Sequence, residues 1–168
     1  MRIPRETLKK WSKLGGLALV VLLVLAQFVP IERTNPPVGD EIQAPPEVMA
    51  VLQRSCYDCH SNETVWPAYS RVAPISWLVV HDVNEGRSGV NYSEWGALSA
   101  DDKAHLLEET WEEVEEGKMP LKKYTFIHPD ARLSESDRAT LRDWAVSQLP
   151  PGDMARASRD EEAGERED

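Results

Sequence analysis

The pentapeptide Cys56-Tyr57-Asp58-Cys59-His60 constrains the fold of this chain more than any other feature of its sequence. Two cysteines separated by two residues and followed directly by a histidine form the attachment pattern of a c-type haem. In such a site the two thiols form thioethers with the haem vinyl groups, and the histidine binds the iron. A domain built round this motif has to fold against a large flat cofactor. The sequence therefore predicts one covalently attached haem c, held by Cys56 and Cys59, with His60 as the proximal iron ligand.

Three other uses of a cysteine pair fit the sequence less well. A thioredoxin-like redox pair belongs in a βαβ unit, and no such pattern surrounds these residues. A zinc site needs about four ligands, but the chain has no second cysteine pair. A plain disulfide between Cys56 and Cys59 gives no reason for the adjacent His60. Haem attachment is the interpretation that uses all three residues.

The N-terminus has the pattern of a membrane-targeting segment. Basic residues up to Lys13 precede an uncharged stretch from Leu14 to Ile31. Eighteen helical residues at about 1.5 Å each cover about 27 Å, close to the hydrocarbon thickness of a bilayer. The positive charges predict that residues 1–13 stay in the cytoplasm and that the chain emerges on the periplasmic side. A signal peptide cleaved after Ala26 is the alternative, but the apolar run continues beyond it, which favours an uncleaved single-pass anchor over residues 14–31.

The remaining chain divides by composition into three parts. Residues 32–46 are rich in proline and predict a semi-rigid linker, and residues 47–149 hold the predicted haem-binding domain. Residues 150–168 carry seven acidic and three basic side chains, which predicts a disordered acidic tail. The formal net charge is −10, and no basic face is available to meet phosphates. Nucleic acid is therefore an improbable partner on charge grounds.

Apolar residues within 47–149 recur at helical spacing, and no stretch reads as a convincing strand. Four helices are predicted. The first begins at Pro46, the second runs from about Pro74 to Gly86, the third runs from about Ser99 to Glu116, and the fourth begins after Ser134. Ser134 and Asp137 form a capping pair for the last one. The predicted fold is an all-α, cytochrome c-like helical domain around one haem, preceded by a single transmembrane helix.

Met119 is the candidate for the second axial iron ligand. It lies in Gly117-Lys118-Met119-Pro120, directly after the third predicted helix. A thioether suits ferrous iron, and a His/Met pair raises the reduction potential of a haem. A core methionine without a ligand role is the alternative.

Other residues compete for places in the haem pocket. His81 and His128 are alternative ligands, whereas Trp77 and Arg87 are candidates for the pocket wall and for a partner of the haem propionates. Arg71 is a second candidate partner for the propionates. No sequence pattern indicates a role for His105 at the haem.

The chain resembles the membrane-anchored bacterial haem-binding domain family, which has a single Cys-x-x-Cys-His motif and is class I cytochrome c-like. The matching stretches are residues 56–95 and 115–144, which contain the motif and the Gly-x-Met-Pro segment. The resemblance implies that Cys56 and Cys59 carry the haem and that His60 binds its iron. It also supports Met119 as the second ligand.

These observations predict a membrane-tethered monohaem c-type cytochrome that carries single electrons outside the cytoplasmic membrane. Its expected partners are membrane-bound or periplasmic redox proteins, together with the lipid bilayer, and no enzymatic reaction is required. The alternative is a haem protein with an open distal site, acting as a peroxidase-like enzyme or a small-ligand sensor with His81 or Arg87 beside the iron. A third reading is a haem-bearing accessory subunit whose main task is docking.

Overall fold

A computed structural model describes residues 5–149 of the 168-residue chain. The predicted disordered tail, residues 150–168, lies outside the described residues, as do the first four residues of the basic segment. Within the described part the chain is helical and contains no strand, which confirms the all-α part of the predicted fold. The α-helices are α1 (Arg5–Ala26), α2 (Pro46–Ser55), α3 (Tyr57–His60), α4 (Ile75–Gly89), α5 (Ala100–Glu115), α6 (Lys122–Ile127) and α7 (Glu135–Gln148). Short 3₁₀ helices cover Ala68–Arg71, Tyr92–Ala97 and Pro129–Ala131.

The core forms where α2, α5 and α7 pack together. Their apolar faces supply most of its buried side chains: Val48, Val51, Leu52, Leu107, Val114, Leu141, Trp144 and Ala145. The predicted helix starts are confirmed, because Ser99 and Ser134 each accept a hydrogen bond from a backbone N–H of the first turn. At α7 the Asp137 side chain also bonds the Ser134 backbone and completes a capping box. Local sequence signals therefore determine where α5 and α7 begin.

Helix α4 does not end at Gly86 as predicted, but continues to Gly89. Gly86 is an interior residue at the contact between α4 and α3. A Cβ atom at this position would lie 2.5 Å from the carbonyl oxygen of Cys59, which is closer than any side chain tolerates. The glycine therefore permits the close approach of two backbones rather than a helix cap.

We expect Gly86→Ala to lower the free energy of unfolding by about 1–3 kcal/mol, the usual cost of overpacking. The obstructing atoms are the carbonyl group and the Cβ atom of Cys59 in α3, which no side-chain rotation moves away. Urea unfolding followed by far-ultraviolet circular dichroism measures this change. Gly89→Ala is the matched control, because an added Cβ there meets no atom within 4 Å. Equal stability of the two variants would refute the packing role of Gly86.

Residues 32–46 lie along the helical domain rather than apart from it. The Gly39 and Ile42 N–H groups donate to the carbonyls of Ser93 and Tyr92, and the Gly96 N–H donates to the Asp40 carbonyl. Ile42 is only 1% exposed and belongs to the core. The segment is extended, as its prolines suggest, but it packs as part of the domain instead of acting as a free spacer.

The predicted transmembrane helix over residues 14–31 is not found. Helix α1 ends at Ala26, and its last 18 residues still include Lys9, Lys10 and Lys13. Over the described residues, no helix is both long enough and apolar enough to cross a membrane. Directly after α1, the Gln27 side chain donates to the Ala73 carbonyl at 3.1 Å and accepts from the Ala73 N–H at 3.0 Å. These bonds connect the end of α1 to the start of α4.

Candidate functional site

A cavity of about 450 Å³ lies between α3, α4, α5 and the segment that follows α5. Its volume falls within the range of about 300–1,000 Å³ that is typical of small-molecule and cofactor sites. Four of the predicted site residues line it together: Cys56, Cys59, His60 and Met119. These residues come from segments that are about 60 positions apart in the sequence, so the fold brings them to one place.

The two cysteines lie at either side of one helical turn. The N–H groups of Cys59 and His60 both donate to the Cys56 carbonyl, which closes the turn at 3.1 and 2.9 Å. The two cysteines are not joined in a disulfide. Burial raises the pKa of Cys56 to about 12 and that of Cys59 to about 11. At neutral pH both groups are therefore protonated as long as no metal ion binds them.

His60 is held in one orientation by the loop after α4. Its Nδ1 atom lies 3.1 Å from the Val90 carbonyl oxygen. Because a carbonyl only accepts, Nδ1 carries the proton and Nε2 keeps the lone pair that a metal ion binds. Burial also lowers the pKa of His60, which favours the neutral imidazole that metal ligation needs. The surroundings of His60 thus leave Nε2 free to bind a metal ion.

Met119 reaches the cavity because the chain reverses at the end of α5. Gly117 has a φ angle of +68°, in the left-handed region that favours glycine. The Lys118 and Met119 N–H groups then both donate to the Glu113 carbonyl, at 3.0 and 2.9 Å. The Met119 side chain is partly buried and packs against the core. This turn delivers a thioether to the cavity that contains His60.

Of the three further pocket candidates, only His81 lines the cavity. Trp77 is 39% exposed and lies outside the lining. Arg87 is also outside, because its guanidinium donates to the carbonyls of Thr34 and Ser61 and to the side chains of Asn35 and Thr64. The structure therefore gives Arg87 a role in fastening the extended segment to the loop after α3, and not one at the cavity.

The remaining basic candidates also lie away from the cavity lining. The ring of His128 is hydrogen bonded to Tyr69, with 2.6 Å between Nε2 and the phenol oxygen. His105 is exposed and lies 3.4 Å from Glu109, one helical turn along α5, but it does not itself line the cavity. Arg71 is exposed on the 3₁₀ turn before α4.

Acidic residues in the cavity lining were not anticipated from the sequence. Five carboxylates line the cavity: Asp58, Asp82, Glu85, Glu109 and Glu113. Lys123 also lines it but pairs with Asp82 at 2.8 Å, and Lys118 pairs with Glu113 and Glu116. A negative environment favours the more positive oxidation state of any metal centre bound here.

Two tyrosines of the lining were also missed, since neither belongs to a recognisable motif. Tyr92 is 2% exposed and stacks on Tyr57, with 5.9 Å between the ring centroids. Tyr124 donates to Asp58 Oδ2 at 2.6 Å. The second contact joins residues 66 positions apart, and no local spacing could have revealed it.

The donor set of the cavity fits a c-type haem. Two thiols, the His60 imidazole with its free Nε2 and the Met119 thioether line a space of cofactor size, together with the His81 imidazole. The thiols suit thioether formation, and the imidazole and thioether are a known pair of axial ligands. Over residues 5–149, no three His, Cys, Asp or Glu side chains are arranged to hold a bare metal ion.

Comparison with known proteins gives one finding. The model of a family described as haem-binding domain matches residues 21–147, which is more than half of the chain. No curated protein and no solved structure matches the chain. The matched region includes the cysteine pair, His60, Met119 and the whole cavity lining. The chain therefore belongs to the haem-binding domain family.

Proposed function

We propose that this protein is a monohaem c-type cytochrome that carries single electrons. The observation that carries the proposal is that Cys56, Cys59, His60 and Met119 line one cavity of cofactor size. Membership of the haem-binding domain family supports haem as the cofactor. Covalent attachment and electron transfer are inferred from the chemistry of these four side chains.

Each residue has a distinct task in this proposal. Cys56 and Cys59 attach the haem through thioethers, and His60 binds its iron through Nε2 while Val90 fixes the imidazole plane. Haem supplies an iron that gains and releases one electron. Met119 would supply a second ligand to the iron from the turn after α5, which would leave no position for a substrate. Because the two ligands stay bound in both oxidation states, little of the protein has to rearrange.

We also propose that the domain works on the extracytoplasmic side of a membrane, with membrane-bound or periplasmic redox partners. Basic residues before Leu14 and large exposed apolar side chains on α1, such as Leu17 and Leu22 at 62% and 63%, support association of residues 14–31 with lipid. The haem motif agrees with this location, because c-type haem is attached outside the cytoplasm.

The test is the absorption spectrum of the full chain, matured with haem in a bacterial periplasm. We expect a low-spin c-type spectrum, the weak near-infrared ferric band of a sulfur–iron bond, and slow uptake of carbon monoxide by the ferrous form. Fractionation of the same cells tests membrane association. A high-spin spectrum with immediate carbon monoxide binding would contradict the electron-carrier proposal.

That contrary result would favour a second function, an enzyme or sensor with an open sixth position. One observation supports this alternative: His81 lines the cavity and is exposed, so its imidazole is available as an acid–base group. Arg87 is no longer a candidate for that role, because its guanidinium is engaged elsewhere.

A further inference from the structure

Helix α6 follows Met119 almost directly, yet none of its residues is buried. Apolar packing therefore contributes little to holding the chain after Met119 in place. Upstream, Met119 is fixed by its hydrogen bond to Glu113 at the end of α5. Downstream, its position depends on polar contacts that α6 makes with the rest of the domain.

The shortest of these contacts joins α6 to the haem-attachment turn. The Tyr124 hydroxyl donates to Asp58 Oδ2 at 2.6 Å, and Asp58 lies between the two cysteines. The second carboxylate oxygen, Oδ1, accepts from the Val65 N–H at 2.9 Å. Since thioether formation requires only the cysteines, the intervening position is free to carry a side chain with another task. Here that side chain accepts a hydrogen bond from α6, the helix that follows Met119.

Two neighbouring contacts keep Tyr124 in place. Its ring stacks on His128 with 4.5 Å between centroids, and His128 is hydrogen bonded to Tyr69. Burial and the bond to Asp58 raise the pKa of Tyr124, so its hydroxyl remains a donor at neutral pH. The pair Lys123–Asp82 also links α6 to α4, but the Lys123 side chain is 48% exposed, so water screens the pair and we expect it to contribute less.

We propose that the Asp58–Tyr124 hydrogen bond positions Met119 over the haem, so that a residue inside the attachment motif sets how firmly the sulfur holds the iron. Both residues are positioning residues, because they act through the segment around Met119 and not on the iron. The inference rests on the proposed function, in which Met119 is the axial ligand. Without this bond, α6 and Leu121 lose their strongest connection to the turn that carries His60.

The test compares Tyr124→Phe with the wild type as full-length ferric holoprotein. Imidazole has to displace Met119 to bind, so its apparent affinity reports how firmly the sulfur is held. We expect roughly tenfold tighter imidazole binding in Tyr124→Phe, because a hydrogen bond to a charged acceptor is lost. The near-infrared sulfur band should weaken, and amide hydrogen exchange should accelerate in residues 119–127.

Tyr57→Phe is the matched control. It also removes a phenol–carboxylate bond made from within the motif, but Tyr57 donates to Glu41 of the extended segment, at 2.9 Å. Asp58→Ala and the double variant complete a cycle in which the two changes should not add, if they act through one bond. Asp58→Ala also serves as the second variant if Tyr124→Phe matures poorly.

The outcomes separate the two proposals. A wild type with the sulfur band and a Tyr124→Phe variant with unchanged imidazole affinity would overturn the positioning role alone. A wild type without the sulfur band would overturn both Met119 ligation and this inference. Equal effects of Tyr124→Phe and Tyr57→Phe would show a general loss of stability and would also overturn it.

Discussion

Replacing both Cys56 and Cys59 by alanine should abolish all haem that stays on the chain after denaturation. The sequence contains no other cysteine, so any covalently held haem must be attached through these two residues. A thioether survives acid–organic extraction, whereas axial ligation by His60 and Met119 does not. Haem staining of denaturing gels and the spectrum of the extracted protein measure this loss. The wild type should keep essentially all its haem.

The single variants are the matched controls for this experiment. Cys56→Ala and Cys59→Ala each leave one thiol on the same wall of the cavity. Each should retain some covalent haem, with a ferrous α band shifted from that of the wild type because one vinyl group stays unsaturated. Haem that resists extraction from the double variant would contradict attachment through the motif. Haem that is extracted from the wild type would show that this family member binds it non-covalently.

Much of the fold follows from local signals in the sequence. Ser99, Ser134 and Pro46 mark helix starts through capping and backbone geometry that involve only neighbouring residues. Gly86 was misread because a glycine near the end of an apolar stripe usually caps a helix. Its actual reason, the Cys59 backbone, lies in another element, so tertiary packing overrides the local rule.

Residues 32–46, predicted as a linker, also show that local patterns do not reveal tertiary contacts. Its prolines correctly predict extended backbone, but composition says nothing about what such backbone pairs with. The Ile42 N–H finds its acceptor at Tyr92, about fifty residues further along the chain. Ile42 is then buried, although it stands among prolines and charged residues. Contacts of this kind are decided by the folded domain as a whole.

In the candidate site, too, some residues could be predicted from local sequence patterns and others could not. The motif from Cys56 to His60 and the Gly-x-Met-Pro turn are local patterns, and the structure brings them to one cavity. Arg87 was chosen for its charge alone, and that charge is used to fasten Thr34 and Ser61. The Asp58–Tyr124 contact has no local pattern, because it depends on how α6 lies against α3.

Two features of the cavity should act in opposite directions on the reduction potential. A thioether ligand favours ferrous iron and raises the potential, whereas five lining carboxylates favour ferric iron and lower it. Lysine side chains offset the charge of two of these carboxylates, because Lys123 pairs with Asp82 and Lys118 with Glu113. The axial ligand is the stronger influence, because ligand identity tunes haem potentials over about 0.8 V.

Met119→Ala should therefore lower the reduction potential by roughly 100 mV or more, an effect attributable to the ligand rather than to the surrounding charges. The near-infrared sulfur band should disappear, and the ferrous protein should bind carbon monoxide at once. Redox titration and both absorption measurements check these results on the full-length holoprotein. The truncation also removes a partly buried side chain, so we expect stability to fall by about 2 kcal/mol in addition.

Met49→Ala separates the loss of the iron ligand from the loss of packing. Met49 is another partly buried methionine that packs against the same core, but it does not line the cavity. The two variants should lose similar stability, and only Met119→Ala should change the potential, the sulfur band and carbon monoxide binding. If both variants kept the wild-type potential and spectrum, Met119 would be a packing residue. Another residue would then bind the iron in the sixth position. Over residues 5–149, His81 is the one histidine of the cavity lining other than His60.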